Sequence, residues 1–184
     1  VEMIAESDEK LMETYLEKGE LTPAEILFGL KKGIAGRQIF PVFAASGLAN
    51  IGVQPLLDRV IEYLPSPIER SEIPVTVNGK DSVLKPTSDG PFAALVFKTI
   101  SDPYTGRISM MRVFSGKMNP DGMVLNPGKD TEEKFAGFFF LQGKEQIAAG
   151  QAKVGDLVAT AKLKITATGD TLTVKGSGIV IPRI

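Results

Sequence analysis

The sequence predicts an α+β fold in two parts. Residues 1–66 form an incomplete α/β unit, residues 67–90 a linker, and residues 91–184 a small antiparallel β-barrel. Three observations carry this division. Apolar residues at helical spacing recur three times before residue 66, around a single strand-like run. The stretch "SPIERSEIPVTVNGKDSVLKPTSDGP" is rich in Pro, Ser and Asp and has little apolar periodicity. Beyond Pro91 come only short runs of β-formers separated by turn residues.

In the first helix Leu11, Met12, Tyr15 and Leu16 share one face, and Gly19 is placed to end it. The acids Asp8, Glu9, Glu13 and Glu17 read as its solvated face. "LTPAEILFGLKKG" carries a full start signal: Thr22 as N-cap, Pro23 at the first helical position, and Glu25 completing a capping box. Its stripe is Ile26, Leu27, Leu30 and Ile34, and Lys31 and Lys32 suit the negative end of the helix dipole. "IFPVFAA" is short and apolar, as expected of a strand buried on both faces. Leu56, Leu57, Val60, Ile61 and Leu64 then repeat at helical spacing until Pro65 stops them.

Within the linker, Asn78-Gly79 predicts a short hairpin. The β half contains "PFAALVFKTI", "RISMMRVFSG", "GMVLN", "EKFAGFFFLQG", "GDLVATAKL" and "DTLTVKG", bounded by turns such as Asn119-Pro120-Asp121-Gly122 and Thr168-Gly169-Asp170. Six such runs without an intervening helix suggest a closed or nearly closed barrel.

Composition removes several chemistries. The 184 residues include no Cys and no His, so thiol catalysis, disulfides and the commonest general base are excluded. A net charge of −1 gives no bulk signal for nucleic acid. No run approaches the roughly 18 apolar residues of a membrane span, and the acidic "VEMIAESDEK" is not a signal peptide. The chain opens on Val directly into helical pattern, as expected of a piece of a longer protein. No G-x-x-x-x-G-K-[ST] loop occurs, so no triphosphate is held by that route.

Two places remain for chemistry. After the apolar strand come Ala45, Ser46 and Gly47, and then a helix. On spacing alone this is an ordinary α/β turn. The sharper reading is a planar ligand at the C-terminal end of a strand, reached by the backbone N–H groups of Ser46, Gly47 and Leu48 past small side chains. In the barrel, Lys98, Arg107, Arg112 and Lys117 form a basic stretch with Asp102 its one acid. It reads as a solvated strand face or as contacts to RNA phosphates. Strand alternation sends Arg107 and Arg112 to opposite faces. Arg107, beside the Pro-Tyr-Thr-Gly turn, is the favoured exposed contact, and Arg112 the candidate for pairing with an acid at the barrel rim.

"FPVFAASGLANIGVQPLLDRVIEYLPSP" resembles the end of the G domain of translation elongation factor G, and "SDEKLMETYLEKGELTPAEILFGLKKG" resembles the helical segment before it. "PFAALVFKTISDPYTGRISMMRVFSGKM" and "KVGDLVATAKLKITATGDTL" resemble the family's second domain. The four segments occur in the family's order and cover nearly the whole chain. The resemblance implies that residues 1–66 are the C-terminal part of the GTP-binding domain and that the loop is the last guanine-contact motif, at Ser46, Gly47 and Leu48. Gly47 stands where the family has Ala, Ala45 replaces Gly, and Ala49 sits at the usual Lys position. The phosphate loop, switch regions and Asn-Lys-x-Asp motif would lie before Val1. The piece would then hold no cofactor and catalyse nothing, while its parent is a cytoplasmic GTPase using GTP and Mg²⁺. The parent would act in elongation on the ribosome, meeting small-subunit ribosomal RNA and proteins, with no membrane or DNA partner. "KFAGFFFLQGKEQIAAG" looks more like the divergent elongation-factor-G-like paralogues. The alternatives are a stand-alone RNA- or protein-binding barrel, and a sibling ribosomal GTPase of the ribosome-protection or release-factor type.

Overall fold

The computed structural model describes residues 1–67, 69, 72–103 and 106–183. Two residues of the expected Pro-Tyr-Thr-Gly turn, Tyr104 and Thr105, lie outside these, as do Ile68, Arg70 and Ser71 of the expected linker. The chain divides into two compact units, Val1–Ser66 and Pro67–Ile184.

The first unit is helical: α1 (Glu2–Ala5), α2 (Glu9–Lys18), α3 (Pro23–Ala35) and α4 (Val53–Tyr63). Local chemistry sets the ends. Asp8 caps α2 by accepting from the N–H groups of Lys10 and Leu11, and Gly19 closes it at φ 73°. Thr22 and Glu25 form the reciprocal capping box of α3, with Pro23 at its start. Ala5, Leu11 and Leu21 make the small core, joined by Met12, Tyr15 and Ile26. Gly29 lets α3 approach closely, because a Cβ there would stand 2.6 Å from Leu11 Cδ1 and 2.7 Å from Ile4 Cγ2. Leu16, expected on the buried stripe, is exposed.

The expected doubly buried strand at "IFPVFAA" does not form. Phe40 is 75% exposed and Val42 93% exposed. A strand needs partners for its backbone groups, and among the described residues this unit supplies no second strand. The stripe of α4 is likewise open: Leu57, Val60, Ile61 and Leu64 face solvent. Phe43 stacks on Tyr63 at 6.4 Å.

The second unit is β. The hairpin of β1 (Ile73–Val77) and β2 (Lys80–Leu84) turns through Asn78 and Gly79 at φ 51° and 76°, the left-handed pair that a tight two-residue turn demands. The strands β3 (Ala93–Asp102), β4 (Gly106–Ser115), β5 (Lys117–Met118), β6 (Met123–Asn126) and β7 (Thr131–Lys134) follow. Then come β8 (Phe138–Gln142), β9 (Glu145–Ala149), β10 (Ala152–Lys153), β11 (Leu157–Ala161), β12 (Thr171–Thr173) and β13 (Ile179–Val180). Eight of them make one antiparallel sheet in the order β7-β6-β12-β3-β4-β11-β8-β9. Its inner face carries Val96, Met111, Val113, Val124, Phe138 and Leu172.

The expected linker is in part packed structure. The β1–β2 hairpin pairs with β13, and Val75 and Leu84 share a second core with Ala93, Leu95, Ile179 and Ile181 on the outer face of the sheet. Pro- and Ser-rich composition hid this, because the apolar residues that matter are few and each is buried by a distant strand.

Candidate functional site

The loop of residues 46–51 is closed by two backbone bonds, Ser46 N–H to Ile51 C=O at 2.9 Å and Ile51 N–H to Ser46 C=O at 3.0 Å. The Ser46 hydroxyl accepts from Ala49 N–H at 3.2 Å. Asn50 (φ 51°) and Gly52 (φ 73°) turn the chain into α4. At Gly52 a Cβ would come within 3.2 Å of Ala44 C=O, so both conformation and space call for glycine there. Of the three donors expected to meet a ligand, Ser46 N–H is taken up inside the loop. Gly47 and Leu48 are exposed and their N–H groups have no acceptor among the described residues. A Cβ on Gly47 would meet nothing within 4 Å, and the Leu48 side chain is fully exposed. The loop is a closed turn presenting two free backbone donors to open space.

The four basic residues of the barrel do not converge. Lys98 pairs with Met110 across β3 and β4, so it shares a sheet face with Met110 and Arg112. Arg107 has the opposite parity. Lys117 lies on the separate two-stranded sheet, paired with Lys153. The rim acid expected for Arg112 is not found: among the described residues no carboxylate pairs with it. Its guanidinium lies instead over the Phe114 ring, 5.4 Å from the centroid. In register on β11 it meets Leu157, not an acid.

The structure supplies a cluster that sequence reading missed. Arg107 C=O accepts from Lys162 N–H at 3.2 Å, and the Arg107 guanidinium approaches Lys164 C=O at 3.5 Å. Arg107 is half-buried, while Lys162 and Lys164 are exposed. The only sequence signal was "KLK", more than fifty residues from Arg107, and β4–β11 pairing brings the two together.

The loop after these lysines is held by two carboxylates. Glu133 accepts from the N–H groups of Lys164, Ile165 and Thr166 at 2.6, 3.0 and 3.0 Å, and from the Thr166 hydroxyl. Burial raises the pKa of Glu133, but these four donors together outweigh it and hold the carboxyl below its usual range. Asp170, buried at its side chain, binds Lys129 (2.8 Å), Arg183 (2.9 Å), Asn126 (2.9 Å) and Ala167 N–H (2.9 Å). Burial again raises its pKa, and the Lys129 ammonium with the other donors pulls it down to about 2.

Among the described residues no group of three or more acidic side chains is placed to hold a metal ion. Among the described residues no helix is long and apolar enough to cross a membrane.

Comparison with known proteins gives a consistent result. Residues 91–175 match the model of elongation factor G domain 2. Elongation factor G 2 of Syntrophomonas wolfei is 40% identical over 174 residues, which is 94% of this chain and 25% of that protein. The chain thus spans about a quarter of that curated relative. A crystal structure of a protein from Thermus thermophilus superposes with a TM-score of 0.74 at 30% identity, over 94% of this chain and 23% of that one.

Proposed function

The chain is an elongation-factor-G-like segment whose barrel is the family's second domain, and from this premise we propose that it serves a translational GTPase of the cytoplasm in two ways. Residues 1–66 are the C-terminal part of the GTP-binding domain and deliver the last guanine contact. Residues 91–184, with the β1–β2 hairpin packed against them, are a ribosome-facing barrel. GTP and Mg²⁺ belong to the whole protein, whose action is elongation on the ribosome.

The observation that carries the nucleotide half is the closed 46–51 loop, in which Gly47 and Leu48 N–H have no acceptor among the described residues and a Cβ at Gly47 would meet none of them within 4 Å. Two fixed N–H groups suit the acceptor edge of a guanine, and a preformed loop spends little ordering entropy on binding. Ser46 supports the turn through its hydroxyl and reaches the ligand only by holding Gly47 and Leu48 in place.

On the barrel, Arg107 with Lys162 and Lys164 is the group that meets ribosomal RNA phosphates. Lys98 and Lys117, both exposed, add charge elsewhere on the unit. Arg112 sits apart from this group, against Phe114.

The test uses the full-length protein with Gly47→Pro, which removes one N–H and leaves the side-chain space small. Titration with a fluorescent GDP should show affinity reduced about tenfold, the loss of one well-placed hydrogen bond. Unchanged GDP affinity in a folded Gly47→Pro variant would remove the loop from the nucleotide site.

A further inference from the structure

We infer that the second unit carries a docking groove for an extended, apolar segment of another protein bearing one Asp or Glu, with Arg112 as the residue that selects the acid. This rests on the groove itself and not on the nucleotide or ribosome reading.

The groove lies between the outer face of the large sheet and the ends of β1 and β13, with a volume of about 520 Å³. That is the size of a site that takes several apolar groups. Its floor and walls are Leu95, Phe97, Phe114, Leu157 and Ile181. Two features keep it open. β3 carries an extra residue at Phe97, where the register with β4 shifts between Val96 and Lys98, and such a bulge re-aims a side chain. Leu157 stands at the start of β11 with 58% of its surface exposed, directly opposite Arg112.

Arg112 is the anomaly in this apolar wall. It is half-buried, stacked on Phe114, and among the described residues it has no carboxylate partner. A guanidinium partly removed from water and left unpaired is unfavourable, and a carboxylate of a bound segment relieves it. Glu72 lines the same groove and is exposed without pairing to Arg112, so no acid among the described residues serves it. Arg set among aliphatic and aromatic groups is the composition of a protein-binding hot spot. An RNA strand would call for a row of cations. Here there is one, and Glu72 beside it repels phosphate.

The experiment follows the methyl resonances of Leu95, Leu157 and Ile181 in the intact 184-residue chain. The probes are acetyl-Leu-Val-Asp-Leu-Val-amide, its Asn analogue, and oligouridine. Saturable shifts at these methyls are expected with the Asp peptide, and binding about fivefold weaker with the Asn peptide. Arg112→Gln should abolish the difference between the two peptides while leaving the affinity for the Asn peptide, and Leu157→Asp should weaken both. Absence of saturable shifts, equal affinity for the two peptides on the unaltered chain, or displacement of the Asp peptide by oligouridine overturns the proposal.

Discussion

Lys129 Nζ lies 2.8 Å from Asp170 Oδ2, and the carboxylate it meets is almost wholly removed from solvent. Asn126, Arg183 and the Ala167 N–H complete the set, so a single acid ties the β6–β7 turn, the loop before β12 and the C-terminal segment together. Replacing Asp170 with Ala leaves these donors without their acceptor. The expected cost is about 2–3 kcal/mol, read as a lowered denaturation midpoint at unchanged m-value.

The same acid makes stability fall at low pH. Its pKa in the folded chain is about 2 against a usual 3.8, so the unfolded chain takes up the proton first as pH falls. The stabilisation is fully present above about pH 4 and is lost as pH drops toward 2. Glu133, held low by the Thr166 hydroxyl and three backbone N–H donors against the opposing effect of burial, acts in the same direction. Denaturation midpoints measured from pH 5 down to about pH 2 should fall in the wild-type chain, and fall less steeply in Asp170→Asn.

The hairpin decides where the barrel unit begins. A fragment starting at Pro67 keeps Val75 and Leu84 over Ala93, Leu95, Ile179 and Ile181, and should fold with a cooperative transition. A fragment starting at Pro91 exposes that second core and should be less stable by several kcal/mol. The isolated segment 1–66 has only a three-residue buried core with a few flanking side chains. It should show little amide protection in hydrogen exchange, and strong protection there would contradict the account.

The chain by itself should not bind GTP measurably. Two free N–H groups offer about 0.5–1.5 kcal/mol each, and the sequence carries no G-x-x-x-x-G-K-[ST] loop to supply the phosphate contacts that dominate nucleotide affinity. Calorimetric titration with GTP and Mg²⁺ checks this, and a micromolar dissociation constant would refute it.

What the sequence revealed was local chemistry. The Thr22–Glu25 box, the Gly19 stop and the Asn78-Gly79 turn depend on residues close to one another in the chain, and each is present. Burial of "IFPVFAA" was misread because a strand's burial belongs to its neighbours and not to its own apolar content. Strand β9 went unread because Glu145–Ala149 has little β-former content and is a strand only through pairing with β8. The division of the basic residues was half legible. Alternation separated Arg107 from Arg112, but their partners, Lys162 and Lys164 in one case and Leu157 in the other, arrive through the β4–β11 register. Similarly, Thr168-Gly169-Asp170 read as a turn, with nothing to show that Asp170 gathers Lys129 and Arg183.

The most direct test of the account is the salt dependence of ribosome binding by the full-length protein, with Arg107, Lys162 and Lys164 changed to Ala singly and together. Each phosphate contact removed should weaken binding and lower the slope of log K against log salt by about one, with Arg112→Ala leaving the slope unchanged. If the triple variant binds with the affinity and slope of the unaltered protein, this cluster does not face the ribosomal RNA, and the ribosome-facing assignment of the barrel is contradicted.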